Sequence, residues 1–334
     1  MHLESRIQAF VHLGSYLRHN FYTERYNELK EAELANPWFT QDNIKLSIDR
    51  WSDQLNVEVL KAWLNPYKLS QFNPPKRVLV IMAGNIPLVG FHDFLSVIIS
   101  GNKIVVKLSS NDNILLPLLI NKLIDINPDI SQYIELIDDV KDKKFDGVIA
   151  TGSDNSAKYF EYYFKKSQTI IRSNRKSVAL LDGTESDMQL RGLADDVFGY
   201  FGLGCRSVSK VFLPEGYDLD RLFEAFYSFK EIIHHQKYTN NYDYNKAVFL
   251  IGKNKVFENG FLILKEEKSF FSPIAVLFYE YYKEMSIVEQ FLKDNVDQLQ
   301  CIVSKNAVPF GSAQKPNLWD YADGIDTIDF LKEL

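Results

Sequence analysis

The chain has 334 residues, of which 46% are hydrophobic and 25% charged, and its formal net charge is −6. This composition is typical of a globular protein with a sizeable core, and an acidic balance without a Lys/Arg-rich stretch argues against nucleic-acid binding. No apolar run approaches the roughly 20 residues of a membrane helix, and charges occupy the N-terminus where a signal peptide is apolar. We therefore expect a cytoplasmic protein without a membrane span.

The first part of the chain is predicted to be helical, because apolar residues recur there at helical spacing. The character changes at Asn73-Pro-Pro-Lys76, beyond which apolar runs of strand length alternate with amphipathic stretches. This alternation indicates a parallel sheet covered by helices. Strands are predicted at 77–83, 103–108, 133–137, 147–151, 169–172 and 177–181, with helices around 88–100, 114–126 and 156–165.

A second alternating set follows Cys205. The polar, Tyr/Asn-rich stretch that follows His234-His235 is interpreted as an exposed loop, since no ligand set with metal spacing accompanies the two histidines. No metal site is expected in the chain. Strands are predicted near 211–213, 247–251, 261–264, 274–279 and 299–303.

Cys205 lies on a predicted bend between a helical stretch and a strand, with Gly202 and Gly204 beside it. The two glycines leave room for another molecule to approach the backbone closely. Since Cys301 is the other cysteine of the chain, a disulfide framework does not account for Cys205. Cys205 is therefore a candidate nucleophile, with a buried structural cysteine as the alternative.

Polar residues also follow several predicted strands, where open α/β sheets bind their ligands. Asn85 follows the first strand, Lys107-Leu108-Ser109-Ser110 the second, and Gly152-Ser153 a later one. Each of these has a structural interpretation of its own as a turn residue, a surface charge or a helix cap. A G-x-G-x-x-G fingerprint does not occur. The order of the motifs along the chain is more informative than any one of them.

That order resembles the aldehyde dehydrogenase superfamily, whose members carry a Trp-Asn-x-Pro element, a Lys-Pro-Ser-Glu element, a Gly-Ser turn and a Gly-Gln-x-Cys element. Their counterparts here are 84–87, 107–110, 152–153 and 203–205. Within the superfamily, residues 85–93 and 311–320 resemble the LuxC-type acyl-CoA reductases, which reduce fatty acyl thioesters to aldehydes. The resemblance covers residues 73–330.

The resemblance implies an α/β, aldehyde-dehydrogenase-like fold. We divide the chain into a helical N-terminal segment (1–70), a parallel-sheet dinucleotide-binding domain (71–182), an α/β catalytic domain (183–310) and a C-terminal segment (311–334). It implies Cys205 as the catalytic nucleophile and Asn85 as a donor to the oxyanion. The implied cofactor-binding residues are Lys107, Ser109, Ser110, Gly152 and Ser153.

Three positions depart from the family pattern. Arg172 stands where oxidising aldehyde dehydrogenases place the Glu that activates water, so a hydrolytic product is not expected. Ser269 replaces a carboxylate that holds the nicotinamide ribose. Ser110 replaces a carboxylate near the adenosine ribose, which removes repulsion of a 2′-phosphate. NADPH is therefore the expected cofactor, with NADH as the alternative.

Several alternatives stay open at this stage. An acyl-CoA or another acyl thioester is the expected substrate. The alternatives are an enzyme that acts on an acyl phosphate and a catalytically silent binding subunit. A homo-oligomer and an acyl-transfer partner protein are both compatible with the sequence. The thiol of Cys205 is activated either by the adjacent Arg206 or by the cluster of Arg172, Arg175 and Lys176.

Overall fold

The computed structural model describes residues 1–69, 74–140 and 144–334, which form two compact units. Unit 1 comprises Met1–Asn174 and Asn317–Leu334, and unit 2 comprises Arg175–Pro316. The predicted boundary between residues 70 and 71 lies outside the described residues. The four segments inferred from the sequence remain a prediction of domain roles.

The N-terminal part of unit 1 is helical, as predicted. Thr40 and Asn56 cap two of its helices by accepting the N–H groups of residues 43 and 59. Phe10, Leu13 and Leu17 line one face of the first helix and are fully buried, so the helix packs by an amphipathic stripe. The helices are α1 Leu3–His19, α2 Phe21–Glu24, α3 Tyr26–Ala35, α4 Gln41–Gln54 and α5 Val57–Leu64.

A five-stranded parallel sheet forms the centre of unit 1, in the order β3-β2-β1-β4-β5. Its strands are β1 Arg77–Ile81, β2 Lys103–Lys107, β3 Ile134–Leu136, β4 Gly147–Thr151 and β5 Gln168–Arg172. The accompanying helices are α6 Phe91–Ser100, α7 Leu115–Ile126, α8 Asp154–Tyr163 and, from the C-terminal segment, α13 Thr327–Glu333, which packs on α6. The strand order reverses between β1 and β4, and open α/β sheets bind ligands at the carboxyl ends beside such a reversal.

Unit 2 contains a six-stranded sheet in the order β11-β6-β7-β10-β9-β8, in which only the β8–β9 pair is antiparallel among the described pairs. The strands are β6 Lys176–Leu180, β7 Val208–Pro214, β8 Val256–Glu258, β9 Ile263–Glu266, β10 Val276–Tyr282 and β11 Leu299–Val303. The helices are α9 Asp187–Phe198, α10 Asp220–Phe226, α11 Gln236–Ile251 and α12 Met285–Asp294.

Two predictions about residues 234–251 are wrong. The apolar run 247–251, predicted as a strand, is the end of α11. The polar stretch that follows His234-His235 is not a loop, because it forms α11 from Gln236 onward, and His235 caps this helix by accepting the N–H of Tyr238. The physical reason is the buried face of α11, on which Tyr238 and Tyr242 recur at helical spacing and override the strand propensity of the exposed run.

Among the described residues, none of the helices combines the length and the apolar composition that a membrane span requires.

Candidate active site

Cys205 lies on the bend that leads from the 3₁₀ turn Gly199–Gly202 into β7, and its side chain is half-buried. Three consecutive residues upstream have left-handed backbone angles: Tyr200 with φ 53°, Phe201 with φ 56° and Gly202 with φ 76°. Bulky residues seldom adopt this conformation, and such strain clusters at functional sites. The bend inferred from the sequence is therefore present, and it is more tightly constrained than its glycines alone indicated.

Two consecutive residues of β6 hold this bend. The Lys176 ammonium donates a hydrogen bond to the Gly202 carbonyl at 3.3 Å, and the buried Ser177 hydroxyl donates to the Cys205 carbonyl at 3.0 Å. Burial lowers the pKa of Lys176, while attraction to the Cys205 thiolate acts in the opposite direction. A cation thus lies within electrostatic reach of the candidate nucleophile.

Cys301 lies in β11, on the other side of β6 from β7. Its Sγ atom is 3.1 Å from the Ser177 hydroxyl oxygen. Since the Ser177 hydrogen is directed at the Cys205 carbonyl, the Ser177 oxygen accepts the S–H of Cys301. Burial raises the pKa of the Cys301 thiol. The two cysteines therefore have different environments, and Cys301 is held as a neutral thiol.

A buried carboxylate on α9 anchors the start of the C-terminal segment. Asp196 accepts the N–H of Gly311 at 2.7 Å and that of Ala313 at 2.8 Å. Burial raises the pKa of Asp196 to about 6, even though the two N–H donors favour its charged form. These two hydrogen bonds fix the position of the next residue, Gln314.

Gln314 packs against the Cys205 bend. Its amide nitrogen donates to the Ser207 hydroxyl at 3.1 Å. A Cβ atom at Gly199 would lie 3.2 Å from Gln314 Cγ, and one at Gly204 would lie 3.7 Å from Gln314 Oε1. Glycine at position 199 therefore leaves space for the Gln314 side chain, whereas a Cβ atom at position 204 would make only an ordinary contact with it. The sequence alone did not reveal this packing.

In unit 1, the loop after β1 meets the loop after β2. A Cβ atom at Gly84 would lie 2.6 Å from the Ser109 hydroxyl oxygen, so a side chain larger than that of glycine cannot fit without a shift. Ser109 in turn accepts the N–H of Asn111 at 3.2 Å. The structure thus brings Asn85, which is exposed, and Ser109, which is half-buried, to one edge of the sheet.

The backbone after Asn85 is strained and firmly held. Leu88 has a φ of 56°, which is uncommon for a branched residue. Its N–H donates to the buried carboxylate of Asp112 at 2.8 Å, and the Ser47 hydroxyl donates to the Pro87 carbonyl at 2.8 Å. Burial raises the pKa of Asp112 to about 6. Asp112 and Ser47 hold the Asn85 loop in place, and neither was identified from the sequence.

The remaining predicted cofactor residues lie at the same edge of the sheet. Lys107 ends β2 and is half-buried, whereas Ser110 is exposed. Gly152 follows β4 and donates its N–H to the Arg172 carbonyl at 3.2 Å. Ser153 caps α8 by accepting the N–H of residue 156 at 3.4 Å. The capping interpretation of Ser153 is confirmed, and a helix N-terminus beside it attracts anions.

Arg172 has a structural partner. Its guanidinium donates to the Asp93 carboxylate at 2.5 Å and to the Thr327 hydroxyl at 3.1 Å, and the Arg172 and Asp93 side chains are both buried. Arg175 donates to the carbonyls of Val296 and Leu299 at 3.4 and 3.3 Å. Of the cations proposed to activate Cys205, Lys176 is thus the one with a described hydrogen bond to the bend, at Gly202.

A family model described as acyl-CoA reductase (LuxC) matches residues 16–227. The long-chain acyl-protein thioester reductase of Aliivibrio fischeri is 26% identical over 233 residues, which cover 64% of this chain and 48% of that protein. The long-chain acyl-protein thioester reductase 2 of Photobacterium leiognathi is 26% identical over 193 residues, which cover 53% of this chain and 40% of that protein. This chain spans about half the length of these relatives or less.

Solved structures show what the fold resembles. Aldehyde dehydrogenase 21 of Physcomitrella patens, in complex with its reaction product succinate, superposes with a TM-score of 0.66 at 14% identity, covering 91% of this chain and 74% of that one. The NAD+ complex of an aldehyde dehydrogenase from Bacillus cereus superposes with a TM-score of 0.62 at 14% identity, covering 92% of this chain and 72% of that one. The expectation of an aldehyde-dehydrogenase-like α/β fold is therefore confirmed.

Proposed function

We propose, from the fact that this chain belongs to the LuxC family of acyl-CoA reductases, that it reduces an acyl thioester to an aldehyde through Cys205. The observation that carries the proposal is the Cys205 bend, where a half-buried thiol follows a strained backbone and lies within electrostatic reach of Lys176. A cysteine beside a cation is the usual setting of a nucleophilic thiolate. The names of the two curated relatives support an acyl thioester as the substrate class.

The chain's residues account for acyl transfer as follows. The Cys205 thiolate attacks the thioester carbonyl carbon, which forms a new C–S bond and a tetrahedral oxyanion. The family pattern assigns Asn85 to stabilise that oxyanion, together with the Cys205 N–H. Collapse of the oxyanion breaks the original C–S bond and releases CoA or another carrier thiolate, which takes a proton from water. This exchange of one thioester for another requires no hydrolytic base.

The second half of the reaction needs a nicotinamide. The edge formed by the ends of β1, β2 and β4 fits such a cofactor, because Lys107 supplies a cation, Ser109 and Ser110 supply hydroxyls, and Gly152-Ser153 begins a helix. A reduced nicotinamide held by these residues would supply the hydride that reduces the acyl group. Cys205 then leaves the reduced carbon as a thiolate while the oxygen re-forms a carbonyl, which releases the aldehyde.

A reductive outcome is favoured over hydrolysis by Arg172. Oxidising members of the superfamily place a water-activating Glu at the corresponding position, and here a guanidinium paired with Asp93 occupies it. Residue 172 therefore offers no carboxylate to activate water, and we propose that an acyl group on Cys205 is reduced rather than hydrolysed. We propose fatty acyl-CoA as the substrate and NADPH as the reductant, because Ser110 carries no charge that repels a 2′-phosphate.

The test is direct observation of the acyl-enzyme. Protein incubated with a long-chain acyl-CoA without cofactor should gain the mass of one acyl group on the peptide that contains Cys205. Adding NADPH should remove that mass and release aldehyde, and Cys205→Ala should abolish both events. Full NADPH oxidation by Cys205→Ala would overturn the proposal. Acylation by an acyl phosphate but not by an acyl thioester would indicate an acyl-phosphate reductase instead.

A further inference from the structure

We infer that Lys176 is the positioning residue that keeps Cys205 in its thiolate form, an inference that rests on the proposed role of Cys205 as nucleophile. Lys176 is the first residue of β6, and its ammonium donates to the Gly202 carbonyl at 3.3 Å. Gly202 lies three residues before Cys205 on the same bend. The next residue, Ser177, holds the Cys205 carbonyl at 3.0 Å. One end of β6 therefore fixes the bend at two points and places a positive charge beside it.

The electrostatics support this geometry. A half-buried ammonium has lost part of its hydration, which favours its neutral form, and a nearby thiolate compensates for that loss. The same attraction acts on Cys205, because a charge pair stabilises both of its members. Lys176 thus lowers the free energy of the Cys205 thiolate relative to the thiol.

The other charged and titratable groups around the bend have different contacts. Arg206, on the bend itself, interacts electrostatically with Cys301 of β11, and so does Asp196 of α9. The Asp196 carboxylate is also bound by two backbone N–H groups. Arg175 precedes Lys176 but donates to two carbonyls at the start of β11 and just before it. Lys176 is therefore the cation for which both a hydrogen bond to the bend and attraction to Cys205 are described.

The proposed reaction uses this charge twice. Cys205 must be a thiolate when it attacks the acyl thioester, and it must leave as a thiolate when the aldehyde is released. A group that only removed the proton from the thiol would assist the first of these steps and not the second. A fixed ammonium such as that of Lys176 stabilises negative charge on the sulfur in both.

The experiment measures the pH dependence of Cys205 alkylation by iodoacetamide in the full chain, followed by mass mapping of the Cys205 and Cys301 peptides. We expect an alkylation midpoint for Cys205 below the ordinary cysteine value of about 8.5. Lys176→Gln keeps a hydrogen-bond donor but loses the charge, and Lys176→Met loses both. Both should raise the midpoint and slow Cys205 alkylation at neutral pH roughly 10-fold, whereas Lys176→Arg should keep most of the wild-type rate.

Arg175→Met is the matched control. It removes the same positive charge at the neighbouring residue, whose side chain has other described contacts. Its midpoint should equal that of the wild type, and an equal shift in Arg175→Met and Lys176→Gln would overturn the inference. An unchanged midpoint in Lys176→Gln would overturn it as well. Fast alkylation of Cys301 would show that a variant is unfolded. In that case the Lys176→Arg variant decides the question. If its Cys205 alkylation midpoint is as high as that of unfolded protein, the inference is contradicted, and if the midpoint stays low, the inference is supported. Because alkylation uses neither acyl thioester nor cofactor, failure of the proposed reaction would leave this result unaffected.

Discussion

Asp196 makes the stability of unit 2 depend on pH in a direction opposite to that of most surface carboxylates. Its pKa is about 6 in the folded protein against an ordinary value of 3.8, because burial disfavours the charge. Each pKa unit corresponds to about 1.4 kcal/mol, so the full effect is about 3 kcal/mol. A carboxyl with a raised folded pKa contributes stability that is complete below its unfolded pKa and is lost as the pH rises through its folded pKa. We therefore expect this contribution to be present at acidic pH and lost above pH 6.

The perturbation that tests this is Asp196→Asn. Linkage places about 2 kcal/mol of the effect between about pH 4.5 and pH 8, which for a unit of this size corresponds to roughly 6 °C in thermal midpoint. The variant should lose this part of the pH dependence. At about pH 8 the substitution stabilises the fold by removing a buried charge. It also leaves one backbone N–H, at Gly311 or Ala313, without a hydrogen-bond acceptor, which costs about 1–3 kcal/mol. The two effects offset each other, so the thermal midpoint of the variant at this pH should be close to that of the wild type.

Differential scanning calorimetry at the two pH values measures both quantities. Asp195→Asn, at the exposed neighbouring position on α9, is the control and should keep most of the wild-type difference between the two midpoints, because burial raises the pKa of Asp196 more than the Asp195 charge does. A difference as large in Asp196→Asn as in the wild type would refute the reasoning, because the buried carboxylate would then not be the group that titrates.

Two further predictions concern the sequence-derived site residues. Asn85→Ala should slow acylation of Cys205 roughly 10²-fold, which is the scale expected for the loss of one oxyanion donor. The thermal midpoint should not change, because Asn85 is exposed. A lower thermal midpoint with an unchanged acylation rate would mean that Asn85 serves only as a turn residue. Ser110→Glu should weaken NADPH binding selectively, because it adds negative charge near the 2′-phosphate, and Lys107→Ala should weaken both cofactors, NADPH more than NADH. Fluorescence titration measures both affinities, and a strong wild-type preference for NADH that Ser110→Glu does not alter would remove this loop from the cofactor site.

The sheet of unit 1 could be predicted from the sequence because its central strands β1, β2 and β4 are buried parallel strands, which have continuous apolar runs between turn residues. The Cys205 bend could be predicted because its glycines are local in sequence. The run 247–251 shows where this approach fails: its residues are apolar, yet Val248, Leu250 and Ile251 are exposed on a helix whose opposite face is buried. Apolar composition alone does not distinguish such a run from a strand.

The supporting residues of the site could not be predicted, because their contacts are not local. Gln314 reaches Ser207 across 107 positions of sequence, and Asp112 reaches the backbone of Leu88 across 24. Lys176 was one of several candidate cations in the sequence, and its particular contact with Gly202 depends on how β6 packs beside the bend. Such contacts arise from the tertiary fold, which spacing and composition do not encode.

The division of the chain has a consequence for how the protein is made. Unit 2 is a single continuous stretch, whereas unit 1 is completed by residues 317–334, which return to it after unit 2. Trp63 donates a hydrogen bond to Tyr321, and Arg172 donates one to Thr327, so both bonds form only after unit 2 has been synthesised. On the ribosome, unit 2 can therefore reach its native state first, while the earlier-synthesised unit keeps part of α6 uncovered until α13 arrives. This interval is when the chain most needs protection from aggregation.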